Sequence, residues 1–321
     1  MKIDIKRPME DPTLAAADAA LEARGAERQA RGYLGMSGIG GCQRKSFYQF
    51  IMAGVLPFPF ATLKKFEDGF RTEDLTIDRL RAVLGLTLID RDIDTGRQIA
   101  VHDFDGHYRG HLDFEVLGLL QAPKTWHVGE CKAVSDKVFA EFKRLKEKHG
   151  EKDTLENWNQ TYYAQAQSYM LYRKRKRHWM VVSTAGGREW DSCRTDFNKE
   201  KALVYVERAR RIIYDRVVPP RISDNKDYWL CRICESRAVC HGGKAPKRNC
   251  RTCIHADPVE DSGWRCTRHD KPLSMSDQMA GCGDQRYKPE LVPGEVKYVD
   301  DRDNTVVYKL NNGQEWADDG K

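Results

Sequence analysis

The chain has 321 residues, enough for one large core and a small appendage. Lys and Arg number 54 against 48 Asp and Glu, a net charge of +6, which bears on solubility and encounter rather than on fold. No run of 18 apolar residues exists, which argues against a membrane-spanning helix. The opening MKIDIKRPMEDP lacks the apolar stretch of an export signal, so a cytoplasmic location is expected.

Residues 1–32 are polar and Ala-rich and are expected to form a helix or a frayed arm. Leu34 to Ile51 reads as a Ser-Gly-rich turn followed by a helix from Gln43. Phe66 to Leu84 carries Phe66, Phe70, Leu75, Leu80 and Leu84 at helix-like intervals. Strand-like stretches follow at Leu86–Arg91, Arg97–His102 and Tyr108–Val116, with a fourth at Trp126–Val134. A Lys-rich helix is expected over 136–149, a longer one over Thr154–Arg173, an apolar strand over His178–Thr184 and another strand over Glu189–Asp196. A closing helix, Lys199–Arg216, is ended by Pro219-Pro220. Lys244–Asn249 is a basic linker, and residues 250–291 are too short to carry a core of their own, so they are expected to fold around metal. The tail has a hairpin pattern, Val296–Val299 and Thr305–Leu310.

Eight of the ten cysteines have metal-like spacing, and in the reducing cytosol such a set reads as metal-binding rather than disulfide-bonded. Two partitions compete. One pairs the distant Cys42 with Cys231, Cys234 and Cys240, and leaves Cys250, Cys253, Cys266 and Cys282 as a second quartet. The other takes Cys231-x2-Cys234 and Cys250-x2-Cys253 as a zinc ribbon. The first uses all eight in sequential sets and is preferred; in it Cys42 would pin the two ends of one domain together. Tetrahedral thiolates suit zinc at the second quartet, although an iron–sulfur cluster has the same ligands. Cys131 and Cys193 are expected to be inert thiols.

Asp113 lies among apolar residues in Tyr108–Val116, and Glu130-Cys131-Lys132 sits in His127–Val134. Strand alternation turns Glu130 and Lys132 to one face and Cys131 to the other. If the two strands are neighbours, Asp113 and Glu130 can share a hard divalent cation such as Mg²⁺ or Mn²⁺. On a helix, Gln165 and Tyr169 stand i and i+4 and face the same way. Glu-x-Lys alone also describes an ordinary solvated ion pair.

In combination these residues resemble the PD-(D/E)XK nuclease superfamily, in particular its RecB-like branch. The likeness runs through Gly69-Phe70-Arg71-Thr72-Glu73, Gly110-His111-Leu112-Asp113, Gly129-Glu130-Cys131-Lys132 and Gln165-Ala166-Gln167-Ser168-Tyr169. Many members carry His where this chain has Glu73. Cys42 with Cys231-x2-Cys234-x5-Cys240 is similar to the iron–sulfur nucleases, the CRISPR-associated RecB-like exonucleases and the AddB type, in which such cysteines hold a 4Fe–4S cluster. The resemblance implies an α/β restriction-endonuclease-like core, a central mixed sheet flanked by helices, over 33–245. A four-cysteine zinc knob at 246–291 and a hairpin-like tail at 292–321 would follow. It implies a Mg²⁺- or Mn²⁺-dependent DNA exonuclease acting in recombination, repair or phage replication. Its DNA would be single-stranded or carry free ends, and recombination or replication proteins would be its partners. Asp113 and Glu130 would bind the ion with help from Glu73 and the Cys131 carbonyl; Lys132 would position water; Gln165 and Tyr169 would orient the strand or Lys132.

The basic run Arg173, Lys174, Arg175, Lys176 and Arg177 follows that helix and is a candidate phosphate contact, to which Lys143, Arg144, Lys146 and Lys148 could add. Trp229 and Trp264 could stack on bases, with packing the simpler reading. Two other classes stay open: a non-catalytic nucleic-acid-binding metalloprotein, in which Asp113 and Glu130 are structural, and an iron–sulfur redox protein with no need of Lys132.

Overall fold

The computed structural model describes residues 11–26, 31–54 and 58–320. The parts of the N-terminal arm at 1–10 and 27–30 lie outside the described residues. The fold is mixed α/β. Its centre is a five-stranded sheet in the order β2-β5-β6-β7-β8, built from Thr87–Ile89, Phe114–Leu117, His127–Val134, Arg177–Thr184 and Trp190–Asp196. β6 and β7 are parallel and every other pair is antiparallel. The parallel pair needs a long crossover, and α4 (Asp136–His149), α5 (Thr154–Trp158) and α6 (Gln160–Arg173) supply it. A smaller sheet, β1-β4-β3 (Leu34–Gly35, Tyr108–His111, Ala100–Asp103), stands beside it.

Side-chain alternation in the central strands divides the core into two layers. Phe114, Val116, Trp179 and Val181 meet Ile77 and Leu80 of α3 (Phe60–Arg81). Val128, Met180 and Val182 belong to the larger layer, with Ala164, Ala166 and Met170 of α6 and Tyr205, Ala209 and Ile212 of α7 (Lys199–Tyr214). That layer continues through Phe47 and Phe50 of α2 (Gln43–Phe50) into Trp264, Leu273, Tyr287, Val306 and Tyr308. The cysteine-rich appendage and the tail are therefore packed on the same core as the central sheet.

The appendage is joined to the N-terminal segment by Arg251, which is fully buried and has no carboxylate partner among the described residues. Its guanidinium donates to the carbonyls of Phe50 at 2.7 Å and Gly32 at 3.1 Å and to Gln278 Oε1 at 2.8 Å. It also lies over the rings of Phe50 and Trp264. These contacts satisfy an otherwise costly buried cation.

Several expectations are corrected. Tyr108–Val116 is two strands in two sheets, β4 and β5, parted at Leu112-Asp113. Helix 154–173 is broken at Asn159, whose extended backbone ends α5 and whose Oδ1 accepts from Thr161 N at 3.0 Å and Tyr162 N at 3.1 Å to cap α6. Of the five apolar residues at helix-like intervals, only Leu80 is buried; Leu84 lies beyond the helix and is 96% exposed. At 100° per residue Leu75 falls off the side that carries Ile77 and Leu80. Phe66 and Phe70 lie on turns flanked by α1 (Pro12–Ala26), where Asp18 pairs with Lys64 and Glu22 accepts from Phe60 N. The tail is a three-stranded sheet, β12-β13-β14 (Gly294–Asp300, Thr305–Leu310, Glu315–Asp318), following β9-β11 of the appendage (Ala256–Pro258, Trp264–Cys266, Lys271–Pro272). No described helix is long and apolar enough to cross a membrane.

Candidate active site

The break after β4 places Asp113. β5 pairs with β6 from Phe114, opposite Gly129, so Asp113 lies at the point where the two strands part and Glu130 is the next residue along β6. Gly129 permits this crossing closely, because a Cβ there would lie 2.0 Å from the Phe114 ring. β6 runs on to Val134 against β7 alone, which leaves Glu130 and Lys132 beside a notch in the sheet. α3 spans the notch from one face with Glu73, and α6 closes it from the other with Gln165 and Tyr169.

The hydrogen bonds define the arrangement. Cys131 N donates to Asp113 Oδ2 at 2.7 Å. Glu130 Oε1 accepts from Lys132 Nζ and, at 2.8 Å, from Gln165 Nε2. Gln165 Nε2 also lies 3.3 Å from the Tyr169 hydroxyl, which donates to the His111 carbonyl at 2.8 Å. Glu130 Oε2 and Gln165 Oε1 are buried without a hydrogen-bond partner among the described residues. The Tyr162 ring, on the same helix, lies 5.4 Å from Lys132 Nζ. Tyr162 was not expected; its i−3 spacing from Gln165 was the available signal.

Electrostatics follow from burying acids together. Burial first, then Asp113, pushes Glu130 up to about 8, with Lys132 opposing. Burial and Asp113 likewise push Glu73 up to about 7. Burial raises Asp113 against the pull of Lys132 and the Cys131 N–H. Burial alone would lower Lys132, but Glu130 and Asp113 outweigh it and hold the ammonium charged. Cys131 is half-buried, and its thiol is pushed up by burial, Asp113 and Glu130, which makes it a poor nucleophile.

A hard divalent ion fits this donor set: Asp113 and Glu130 offer oxygen ligands, and Glu130 Oε2 is a buried acceptor lacking a donor. The oxygens of Glu73, Asp113 and Glu130 do not all come within 4.8 Å of one another; among the described residues that spacing is met at His269, Cys282 and Asp284. Glu73 therefore acts on the pair electrostatically, outside the spacing of a shared three-residue ion site.

A pH dependence follows. The folded values of Glu130 and Glu73 exceed the ordinary 4.5, so the stability they contribute is complete below that value and is lost as pH rises through about 7 and about 8. The metal-free protein is expected to melt at a lower temperature at about pH 8.5 than at about pH 5.5, by on the order of 5 °C. Millimolar Mg²⁺ should recover most of that difference at the higher pH while releasing protons. A melting temperature that ignores both pH and Mg²⁺ would contradict the arrangement.

The other predicted residues are placed as follows. Arg173 and Arg175 both fork onto Glu115, which is 1% exposed, and Arg177 pairs with Asp196. Three of the five cations are thus engaged by carboxylates, and Lys174 and Lys176 are exposed. Lys146 pairs with Asp191. Trp264 is buried and Trp229 is 57% exposed. His111 is exposed. Cys193 is buried and pushed up to about 12 by burial.

Cys42 at the N-terminus of α2 meets the segment 231–240 across the fold. Lys45 and Gln49 bind Glu235, and Arg44 donates to the Pro219 carbonyl. Burial, then Cys240 and Cys42, raises Cys231, and Cys42 acts on Cys234 as well. In the appendage, burial and then Cys253, Cys282 and Cys266 push Cys250 up to about 11. Within each set, neighbouring thiols add to burial in raising a buried cysteine, but no three sulfurs of either set lie within 4.8 Å of one another.

No protein-family model and no curated protein matches this sequence. Solved structures with similar backbones include the crystal structure of SSO0001, at 12% identity and a TM-score of 0.40 over 72% of this chain and 96% of that one. Another is LHK-Exo in complex with dAMP, at 13% identity and 0.40 over 62% and 90%. A third is the alkaline exonuclease LHK-Exo from Laribacter hongkongensis, at 11% and 0.39 over 60% and 90%. Superpositions this loose carry no functional argument, so function is read from the residues of this chain.

Proposed function

We propose that the chain is a divalent-metal-dependent nuclease that hydrolyses DNA phosphodiester bonds from free ends. The observation that carries the reading is the notch at Asp113 and Glu130, where two buried acids with raised pKa values meet a charged Lys132. Asp113 and Glu130 would hold Mg²⁺ or Mn²⁺, with Glu73 acting through water. When bound, the ion acidifies water and neutralises charge on a phosphate. Lys132 positions the attacking water and balances negative charge as it develops. Gln165 fixes the Glu130 carboxylate, and Tyr169, anchored on the His111 carbonyl, keeps Gln165 in place. Lys174 and Lys176 are the cations of the basic run left to meet phosphates, with Arg173, Arg175 and Arg177 held by Glu115 and Asp196.

In the same reading Cys42, Cys231, Cys234 and Cys240 would carry a 4Fe–4S cluster, as the resemblance to the RecB-like iron–sulfur branch implies. Cys250, Cys253, Cys266 and Cys282 supply the zinc site of the appendage. Both are structural.

The test uses linear DNA labelled at one end and the same sequence as a covalently closed circle. With Mg²⁺ or Mn²⁺ the linear molecule should be shortened from its ends while the circle survives, and EDTA should stop the reaction. Binding of both molecules without cleavage under any divalent ion would instead make this a nucleic-acid-binding metalloprotein.

A further inference from the structure

We propose that His269 and Asp284 are metal ligands, and that with Cys282 they hold a zinc-class ion at the surface of the appendage. The inference stands apart from the nuclease reading and takes Cys282 out of the four-thiolate set proposed above, leaving Cys250, Cys253 and Cys266 as three buried thiols. Two short segments supply the three side chains: the turn after β10 and the loop that follows the short helix Met275–Ala280. His269 Nε2, Cys282 Sγ and an Asp284 carboxylate oxygen all lie within 4.8 Å of one another. His269 Nε2 is 3.9 Å from Cys282 Sγ and 3.1 Å from Asp284 Oδ2. A tetrahedral zinc ion with ordinary bond lengths separates its N and S ligands by about 3.6 Å and its N and O ligands by about 3.3 Å. The two separations from His269 are each within a few tenths of an ångström of those in a loaded site.

The surroundings hold the ligands in place. The N–H of His269 reaches Cys266 Sγ at 3.5 Å, so the Cys266-x2-His269 turn is wound around that sulfur. Arg268 lies 3.6 Å from the other Asp284 oxygen, and Arg286 donates to the Gly283 carbonyl at 3.0 Å. An ion pair between His269 and Asp284 would explain the 3.1 Å separation but not a thiol 3.9 Å from the same nitrogen. Cys250, Cys253 and Cys266 are buried while Cys282 is exposed, which sets Cys282 on the outer side with His269. Three protein ligands leave one tetrahedral position to solvent, whereas a four-thiolate site leaves none.

The experiment counts zinc per full-length chain by mass spectrometry of the elements and measures affinity against a chromophoric chelator. His269→Ala and Asp284→Asn should each lose one zinc per chain or weaken it by on the order of 10²-fold or more. Far-ultraviolet circular dichroism should be unchanged, since both side chains sit at the surface, and His269→Cys should restore binding. Cobalt(II) in place of zinc offers a readout on the unmutated chain: thiolate charge-transfer intensity matching one sulfur at this site supports the mixed ligand set. Wild-type zinc content and affinity in both variants, or a four-sulfur cobalt spectrum, would leave His269 and Asp284 an ion pair only and overturn the proposal.

Discussion

Lys132→Met should abolish most DNA cleavage while leaving divalent-ion binding intact. The ammonium donates to Glu130 and is held charged by Glu130 and Asp113, but an amine in that state is no ligand for Mg²⁺. Removing it takes away the group that positions water and balances charge in the transition state, an effect on the order of 10³-fold in turnover. It also removes a cation that competes with the metal for Glu130, so Mn²⁺ affinity should hold or improve. Met keeps most of the volume of the side chain whose ammonium lies over the Tyr162 ring. Glu130→Ala should behave differently and lose binding and cleavage together. If Lys132→Met retained turnover within a few-fold of the parent, Glu130-x-Lys132 would be a structural ion pair and the nuclease assignment would fail.

Cys231→Ser should unfold much of the molecule. Cys231 is buried, and Cys42 and Cys240 both act on its thiol electrostatically, so the proposed metal centre would join α2 to the segment after Pro220. Thiolate sites bind metal with apparent free energies on the order of 10 kcal/mol, as large as the stability of a whole domain. The unmutated protein, purified without air, is expected to be brown with a broad visible band. The variant should be colourless and lose its cooperative melting transition. A colourless parent that contains zinc alone would instead favour the ribbon pairing of Cys231 and Cys234 with Cys250 and Cys253. A variant that kept both colour and stability would remove Cys231 from the site.

Features governed by local periodicity were legible before the fold was known. Glu130 and Lys132 share a strand face because side chains alternate, and Gln165 reaches the Tyr169 hydroxyl because helix neighbours recur every four residues. The break at Leu112-Asp113 was not legible. His111 to Val116 alternates plausibly as one strand, and it is the pairing of Tyr108–His111 with Leu34-Gly35 and Ala100–Asp103 that pulls the first half into another sheet. That tertiary choice also makes the notch, so Asp113 was identifiable as a residue but its setting was not. The basic run shows the same limit: Arg173 and Arg175 read as free cations until Glu115, one acid in an apolar strand, is seen to gather both. The third tail strand, Glu315–Asp318, has little apolar pattern and forms by pairing with Val306–Lys309. His269 was legible only through its Cys266-x2-His269 spacing, because its partners Cys282 and Asp284 lie more than ten residues further along the chain.

Everything catalytic in this reading depends on Asp113 and Glu130 sharing one cation. Crystals grown with Mn²⁺ and measured at the manganese absorption edge locate that ion without any assay of activity. The account predicts an anomalous peak between the two carboxylates, about 2.1 Å from an oxygen of each, with Glu130 Oε2 among its ligands. A fully loaded crystal with no peak there, and with Lys132 still bound to Glu130, would contradict it.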